Sequence, residues 1–303
     1  MKKCIYNNSV AVITGGASGI GKALSEDLAS RGCHLALADI DRQGLDAVQE
    51  NLKAKYPAIN ISTHLVNVSS YDEIIRLKDE VLTIFGKVNF LFNNAGITLA
   101  ESTISGSLKD FEKVMSVNFI GPVLGTKVFL DCLLEQDNAH VVNISSVFGL
   151  VAYPSQAAYC ASKFALKGFT ESLAIEFRKS HVKFHSVHPG FVSTNILQNG
   201  ILNDTSAVVD SVDEYIQAFD ELTLLTPEAA SKAILKGVTK GKSQILVGKD
   251  AVILSLLQRF FPTRYKSLVG WGIDIYRKLL RIRKSRSGQI PPSSARQNDK
   301  ELI

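Results

Sequence analysis

Ser9–Thr14 is a short apolar, β-rich run that ends in Thr14-Gly15-Gly16-Ala17-Ser18-Gly19-Ile20-Gly21, and a helical pattern follows to about Arg31. No other stretch restricts the fold so severely. A strand that ends in a glycine turn and opens a helix aims backbone N–H groups and a helix N-terminus at one point, an arrangement suited to a phosphate. Gly15, Gly19 and Gly21 have three and then one residue between them, unlike the common G-x-G-x-x-G spacing. Any one of these glycines has an ordinary structural explanation. Three at a strand-to-helix junction point to a nucleotide site.

The same alternation then repeats. Cys33–Ala38 is a continuous apolar strand ending at Asp39, about twenty residues beyond the glycine turn. Acid at that place accepts hydrogen bonds from adenosine ribose hydroxyls and repels a 2′-phosphate, so NAD is favoured over NADP. Arg42, at the start of the helix Arg42–Lys55, is the one nearby cation that could reach a phosphate. A third strand over Asn60–Val68, a helix over Tyr71–Phe85 and a fourth strand over Val88–Phe92 lead into Asn93-Asn94-Ala95-Gly96. Apolar strands without alternation, separated by helices, predict a parallel sheet covered on both faces. Right-handed crossovers put the glycine turn, Asp39, Asn67 and Asn93 to Gly96 on one ligand-binding edge.

Ser107–Glu135 reads as two helical stretches, with the polar Asn118 near their junction and Pro122 just beyond. His140–Ile144 is a fifth strand, ending at Ser145-Ser146 on the ligand edge. Phe184–Val187 is a sixth, closed by His188-Pro189-Gly190. Between them a long helix carries Tyr159 and Lys163, four apart and therefore on one helical face. A cation beside a phenol favours the phenolate, so Lys163 is expected to lower the pKa of Tyr159 toward a value useful in acid/base work.

Thr14-Gly-x-x-x-Gly-Ile-Gly21, Asn93-Asn-Ala-Gly96, Asn118, Ser146 thirteen residues before Tyr159, Tyr159-x-x-x-Lys163 and Pro189-Gly190-x-Val192-x-Thr194 together resemble the short-chain dehydrogenase/reductase family. The likeness is collinear over roughly residues 5–248. It implies a single Rossmann-type doubly wound domain with a seven-stranded parallel sheet, Gln244–Val247 being the last strand. It also implies the roles. Tyr159 is the general acid/base, Lys163 lowers its pKa and holds nicotinamide-ribose hydroxyls, and Ser146 orients the substrate oxygen. Asn118 holds a water that relays protons. Thr14, Gly15, Ser18, Gly19, Ile20, Gly21, Asp39, Asn67, Val68, Asn94, Ala95, Gly96, Pro189 and Gly190 form the rest of the cofactor cradle, with Val192 and Thr194 at the carboxamide end. Asn67 departs from the pattern, because many members carry Asp there. An altered adenine contact is expected from it.

The formal charge of +5 is unevenly placed. Residues 251–286 hold nine Lys or Arg against Asp274, a net +8, so the remainder sums to 5 − 8 = −3. That distribution gives no nucleic-acid-binding surface on the body. Cys4, Cys33, Cys132 and Cys160 lack paired or metal-type spacing, which fits free thiols in a reducing compartment. No metal site is expected: His181, His185 and His188 read as packing residues, since 185 and 188 should point to opposite sheet faces. Met1 to Ser9 is too short and polar for a secretory h-region, and no uninterrupted apolar run approaches the ~18–20 residues that span a bilayer. A cytoplasmic chain, with membrane-peripheral contact as an option, is the expectation.

The boundaries expected are 1–249 for the catalytic domain, 250–286 for an amphipathic helical extension and 287–303 for a disordered tail. Within the first, 195–225 corresponds to a substrate lid, of mixed composition without a strong period, whose apolar residues suggest a hydrophobic substrate such as a steroid, retinoid or acyl chain. Thr226-Pro227-Glu228 is a helix start. Leu268, Gly272, Ile275, Leu279 and Ile282 recur at helical spacing in the extension. Such a helix can pack on the body, join a second copy or lie on an anionic membrane; Trp271 and the basic end favour an interface. The resemblance implies a homo-oligomer and hydride transfer between NAD(H) and a secondary alcohol or ketone. The alternative is a non-redox use of the fold, as a lyase, an epimerase or a nucleotide-sensing binding protein.

Overall fold

Strands covered on both faces need no polar alternation, and Val10–Thr14 and Ala139–Ile144 are buried at every position. In the computed structural model, which describes residues 5–223 and 225–286, they belong to one parallel sheet. Its strands are β1 (Val10–Thr14), β2 (His34–Asp39), β3 (Ile61–Leu65), β4 (Phe90–Asn93), β6 (Ala139–Ile144), β7 (Val182–Pro189) and β9 (Gln244–Val247). They lie in the order β3-β2-β1-β4-β6-β7-β9, so the strand order reverses between β1 and β4. A separate parallel pair, β5 (Leu99–Ala100) with β8 (Ile201–Leu202), ties the lid segment to the loop after β4.

Successive residues of one strand feed opposite cores. Ala11 and Ile13 of β1 join α1 (Gly19–Ala29), α2 (Arg42–Lys55) and α8 (Pro227–Thr239) through Leu24, Leu45 and Ile234. Val10 and Val12 join α3 (Tyr71–Phe85) and α5 (Gly121–Leu134) through Leu77 and Phe129. The expected helices Arg42–Lys55 and Tyr71–Phe85 and the last strand have the predicted bounds. The third strand is shorter than expected. Ser69 N–H donates to Asn67 Oδ1, and this local turn takes the backbone out of the ladder.

The helical run Leu108–Leu134 is long and apolar enough to cross a membrane by length and composition, yet 44% of that window is buried within the domain. Phe129 and Leu133 hold its inner face against the sheet. This is a core helix.

The segment 195–225, expected as a lid without a strong period, differs from expectation. It contains α7 (Val212–Leu222), capped by Ser211, whose hydroxyl accepts from Glu214 N–H. Val212, Tyr215, Ile216, Phe219 and Leu222 do fall on a helical period, but the irregular residues around them mask it across the whole segment. The extension forms α9 (Lys249–Phe260) and α10 (Tyr265–Arg286). Ala251, Leu254 and Leu257 of α9 pack near Phe148 and Tyr159, while Ile273, Tyr276 and Leu280 of α10 pack on the lid cluster. The expected disorder of 287–303 lies outside the described residues.

Candidate active site

The C-terminal ends of β1, β4, β6 and β7 border a cleft of about 1090 Å³. Gly15, Ser18, Gly19, Ile20, Asp39, Asn67, Val68, Asn94, Ala95 and Gly96 line one part of it. Ser146, Tyr159, Lys163, Pro189, Gly190, Val192 and Thr194 line the other. Thr14, Gly21 and Asn118 do not reach its wall.

Those three stand behind it as framework. Thr14 Oγ1 accepts from Asn94 N–H and Ala95 N–H, and Asn94 Nδ2 donates to the carbonyls of Thr14 and Gly15, so the loops after β1 and β4 are fastened together. Gly15 has φ +67°, and a Cβ there would lie 2.9 Å from Ala95 Cα. A Cβ on Gly21 would strike the Gly15 carbonyl oxygen. The turn is therefore tight enough to press its backbone to the cleft.

A nicotinamide dinucleotide fits this donor set. Asp41, Ser70, Ser107, Ser211 and Thr226 each cap a helix by accepting a backbone N–H, whereas Ser18 at the start of α1 makes no such bond and no acid sits in its first turn. The N–H groups at the start of α1 thus lack a side-chain acceptor where a phosphate would lie. Asp39 accepts from Ala17 N–H at 3.0 Å and from Asp41 N–H at 3.1 Å. It is fixed beside the turn with lone pairs left for ribose hydroxyls.

At the opposite end, α6 (Ala157–Glu176) presents Tyr159 and Lys163 together. Lys163 Nζ lies 5.5 Å from the Tyr159 ring centre and donates to the Ile144 carbonyl at 2.9 Å. Ser146 Oγ accepts from Phe148 N–H at 3.1 Å, which leaves its own proton for the Tyr159 oxygen or a substrate. Burial pushes the Tyr159 phenol up to about 12, opposed by the hydrogen bond from Ser146. Burial also pulls Lys163 down to about 8. In the protein alone the phenol is thus raised, against the expected lowering, because desolvation favours the neutral form of each group.

Asn118 occupies a π-helical turn, Ser116–Ile120, between α4 (Leu108–Met115) and α5. Its carboxamide accepts from Ile97 N–H and donates to Ile97 O, both at 2.9 Å, and donates to Ser162 Oγ at 3.1 Å. Both amide donors are therefore engaged by protein, which narrows the expected water-holding role to the remaining acceptor positions. A Cβ on Gly96 would stand 3.2 Å from Asn118 Oδ1 and 3.4 Å from Lys163 Nζ, so glycine keeps that space open.

Several contributors escaped sequence reasoning. His188 Nδ1 pairs with the Ser146 carbonyl at 2.9 Å and so braces the serine from behind. Phe148, Tyr153, Phe191, Tyr215 and Phe219 wall the end of the cleft beyond Tyr159. Gln156 Nε2 donates to Tyr215 Oη at 2.9 Å while Thr98 Oγ1 donates to Gln156, joining α7, the start of α6 and the loop after β4. Gln156 precedes Tyr159 by three residues, a usable signal; nothing local announced Tyr215.

A family model described as short chain dehydrogenase matches residues 9–205. The chain belongs to the short-chain dehydrogenase/reductase family. SadH of Mycobacterium tuberculosis is 37% identical over 273 residues, covering 88% of this dehydrogenase and 96% of SadH. Dehydrogenase/reductase SDR family member 7B of Xenopus laevis is 31% identical, over 86% of this chain and 80% of its own. The crystal structure of a short-chain dehydrogenase/reductase from Burkholderia phymatum in complex with NAD superposes with a TM-score of 0.76 at 30% identity, covering 84% of this chain and 94% of that one. This short-chain dehydrogenase is thus an oxidoreductase of the dehydrogenase/reductase class with a nucleotide-binding Rossmann fold and a nicotinamide cofactor.

Proposed function

We propose that this short-chain dehydrogenase transfers a hydride between NAD(H) and a secondary alcohol or ketone carried on a hydrophobic molecule of steroid, retinoid or acyl-chain type. The observation that carries the reading is the buried Ser146, Tyr159 and Lys163 group at the rim of an aromatic chamber walled by Phe148, Tyr153, Phe191 and Phe219. Bound nicotinamide supplies the two-electron donor or acceptor. The glycine turn and the start of α1 hold the phosphates, Asp39 the adenosine ribose, Lys163 the second ribose, and Val192 and Thr194 the carboxamide. Asp39 favours NAD, because a 2′-phosphate beside it would meet a carboxylate.

In reduction, the substrate oxygen gains negative charge as its carbon gains hydride. Tyr159 Oη gives that oxygen a proton, and the Ser146 hydroxyl donates a hydrogen bond that strengthens as the charge builds. Oxidation reverses the proton: Tyr159, as phenolate, takes it from the alcohol. A cationic Lys163 beside the phenolate offsets the burial that otherwise raises the phenol pKa. Homo-oligomerisation belongs to the same reading, supported by the exposed apolar Phe164 and Ile175 on α6 and Ile120 on the turn between α4 and α5.

The test is nicotinamide absorbance with a panel of hydrophobic secondary alcohols and ketones, using wild type and Tyr159→Phe. Wild type should turn over at least one class, and Tyr159→Phe should lose roughly 10²–10⁴-fold in kcat while still binding NADH. Absence of any absorbance change across the panel, with another activity that survives Tyr159→Phe, sinks the proposal and favours the non-redox use of the fold.

A further inference from the structure

We propose that the outer faces of α9 and α10 form a docking surface for an anionic lipid bilayer, while the inner face of α9 packs near Phe148 and Tyr159 and that of α10 holds the lid. Of 21 large hydrophobic residues exposed among the described residues, ten lie between Val252 and Ile282. They are ordered, not scattered. Val252, Ile253, Leu256 and Phe260 share one face of α9, and Leu268, Trp271, Ile275, Leu279 and Ile282 share one face of α10, at the i, i+3, i+7 spacing of a helical stripe. The stripe uses Trp271 where the sequence pattern had marked Gly272.

The opposite face of α10 is occupied. Ile273, Tyr276 and Leu280 pack on the lid cluster with Val208, Val209 and Tyr215. Arg277 donates from Nε to the Val208 carbonyl at 2.9 Å and from Nη2 to the Ser206 carbonyl, and Tyr276 Oη bonds Glu221 at 3.3 Å. Intramolecular packing therefore accounts for one side of the helix and leaves the apolar stripe on the other uncovered.

Charge selects the occupant. Exposed Arg259, Arg264, Lys266 and Lys278 flank the stripe, within a segment of net +8. A two-fold pairing of this face with itself would bring together two segments that each carry a net +8, whereas anionic headgroups complement them. The tail 287–303 brings only Ile290, Leu302 and Ile303 as large apolar residues, too few to cover ten. An apolar stripe with a basic border and a tryptophan in its middle has the make-up of a surface-lying membrane helix.

Trp271, 65% exposed, is the protein's sole tryptophan and reports on this face directly. The full-length protein is titrated with vesicles of phosphatidylcholine alone and with one-third phosphatidylglycerol, following Trp271 emission and co-sedimentation. A blue shift with bound protein, at least tenfold stronger on the anionic vesicles and weakened by salt, is expected. Ile275→Glu with Leu279→Glu should lower that partition at least tenfold while melting temperature and NADH binding stay at wild-type values. The wild-type titration decides the matter even where the double variant misfolds. Equal binding to both vesicles, or no shift with either, overturns the proposal. So does a lipid-free blue shift that grows with protein concentration and accompanies a doubled mass, which would assign the face to a second copy.

Discussion

Asp39 shows how far one side chain carries a prediction. Its carboxylate is held by Ala17 N–H and Asp41 N–H, so its charge cannot swing away from a bound adenosine ribose. Wild type should bind NADH more tightly than NADPH, and Asp39→Asn should narrow that gap by about tenfold, on the order of 1.4 kcal/mol, in a fluorescence titration. Tighter NADPH binding by wild type would refute the argument. At this scale the sequence was readable wherever a residue type has few alternatives: glycines at the turn, acid at the end of β2, tyrosine and lysine one helical turn apart. It misled on the tyrosine pKa. Proximity to lysine is visible in the spacing, but burial is a property of everything packed around the pair, and burial dominates both groups.

At the scale of elements, the π-helical turn around Asn118 explains an anomaly that the sequence posed. A polar residue in Val117-Asn118-Phe119 is out of place in a regular core helix. The widened turn lets its carboxamide replace a strand-like pairing with both polar groups of Ile97. Asn118→Leu keeps much of the volume and leaves the partly buried Ile97 N–H and C=O without their protein partner, at roughly 1–3 kcal/mol each. Urea unfolding should therefore show a loss of about 2–5 kcal/mol, with kcat falling as the Gly96–Lys163 wall shifts. A stability change below ~0.5 kcal/mol, the level of an ordinary surface substitution, would mean that these bonds are dispensable. The lid helix was less legible. Its period is present from Val212 to Leu222, yet its partners, Gln156 and the C-terminal helix, come from distant parts of the chain.

Over the whole molecule, the buried histidines couple the fold to pH. His140 and His185 share a ring-to-ring hydrogen bond of 2.9 Å across β6 and β7, His185 donates to the Lys242 carbonyl, and His188 bonds Ser146 and Ser186. Burial pulls His140 down to about 3 and His185 and His188 down to about 4. The unfolded chain binds more protons from about pH 6.5 down to those values. Their stabilising contribution is therefore complete above pH 6.5 and is lost as pH falls toward 4. Between pH 7 and pH 5 each ring should remove about 2 kcal/mol, read as a falling urea midpoint. His188→Asn should flatten that slope; an unchanged slope would show that the ring titrates normally in the folded protein.

What is legible along the chain is the parallel α/β architecture, the ligand edge and the residue types gathered there, because apolar periodicity and glycine stereochemistry act over a few neighbouring residues. The tertiary structure alone decided which predicted residues line the cleft and which brace it from behind, as Thr14, Gly21 and Asn118 do. It also decided that desolvation sets the Tyr159 and Lys163 protonation equilibria, and that one face of α10 holds the lid while the other stays open. Each of these depends on long-range packing, in which the environment of an atom is set by residues a hundred or more positions away.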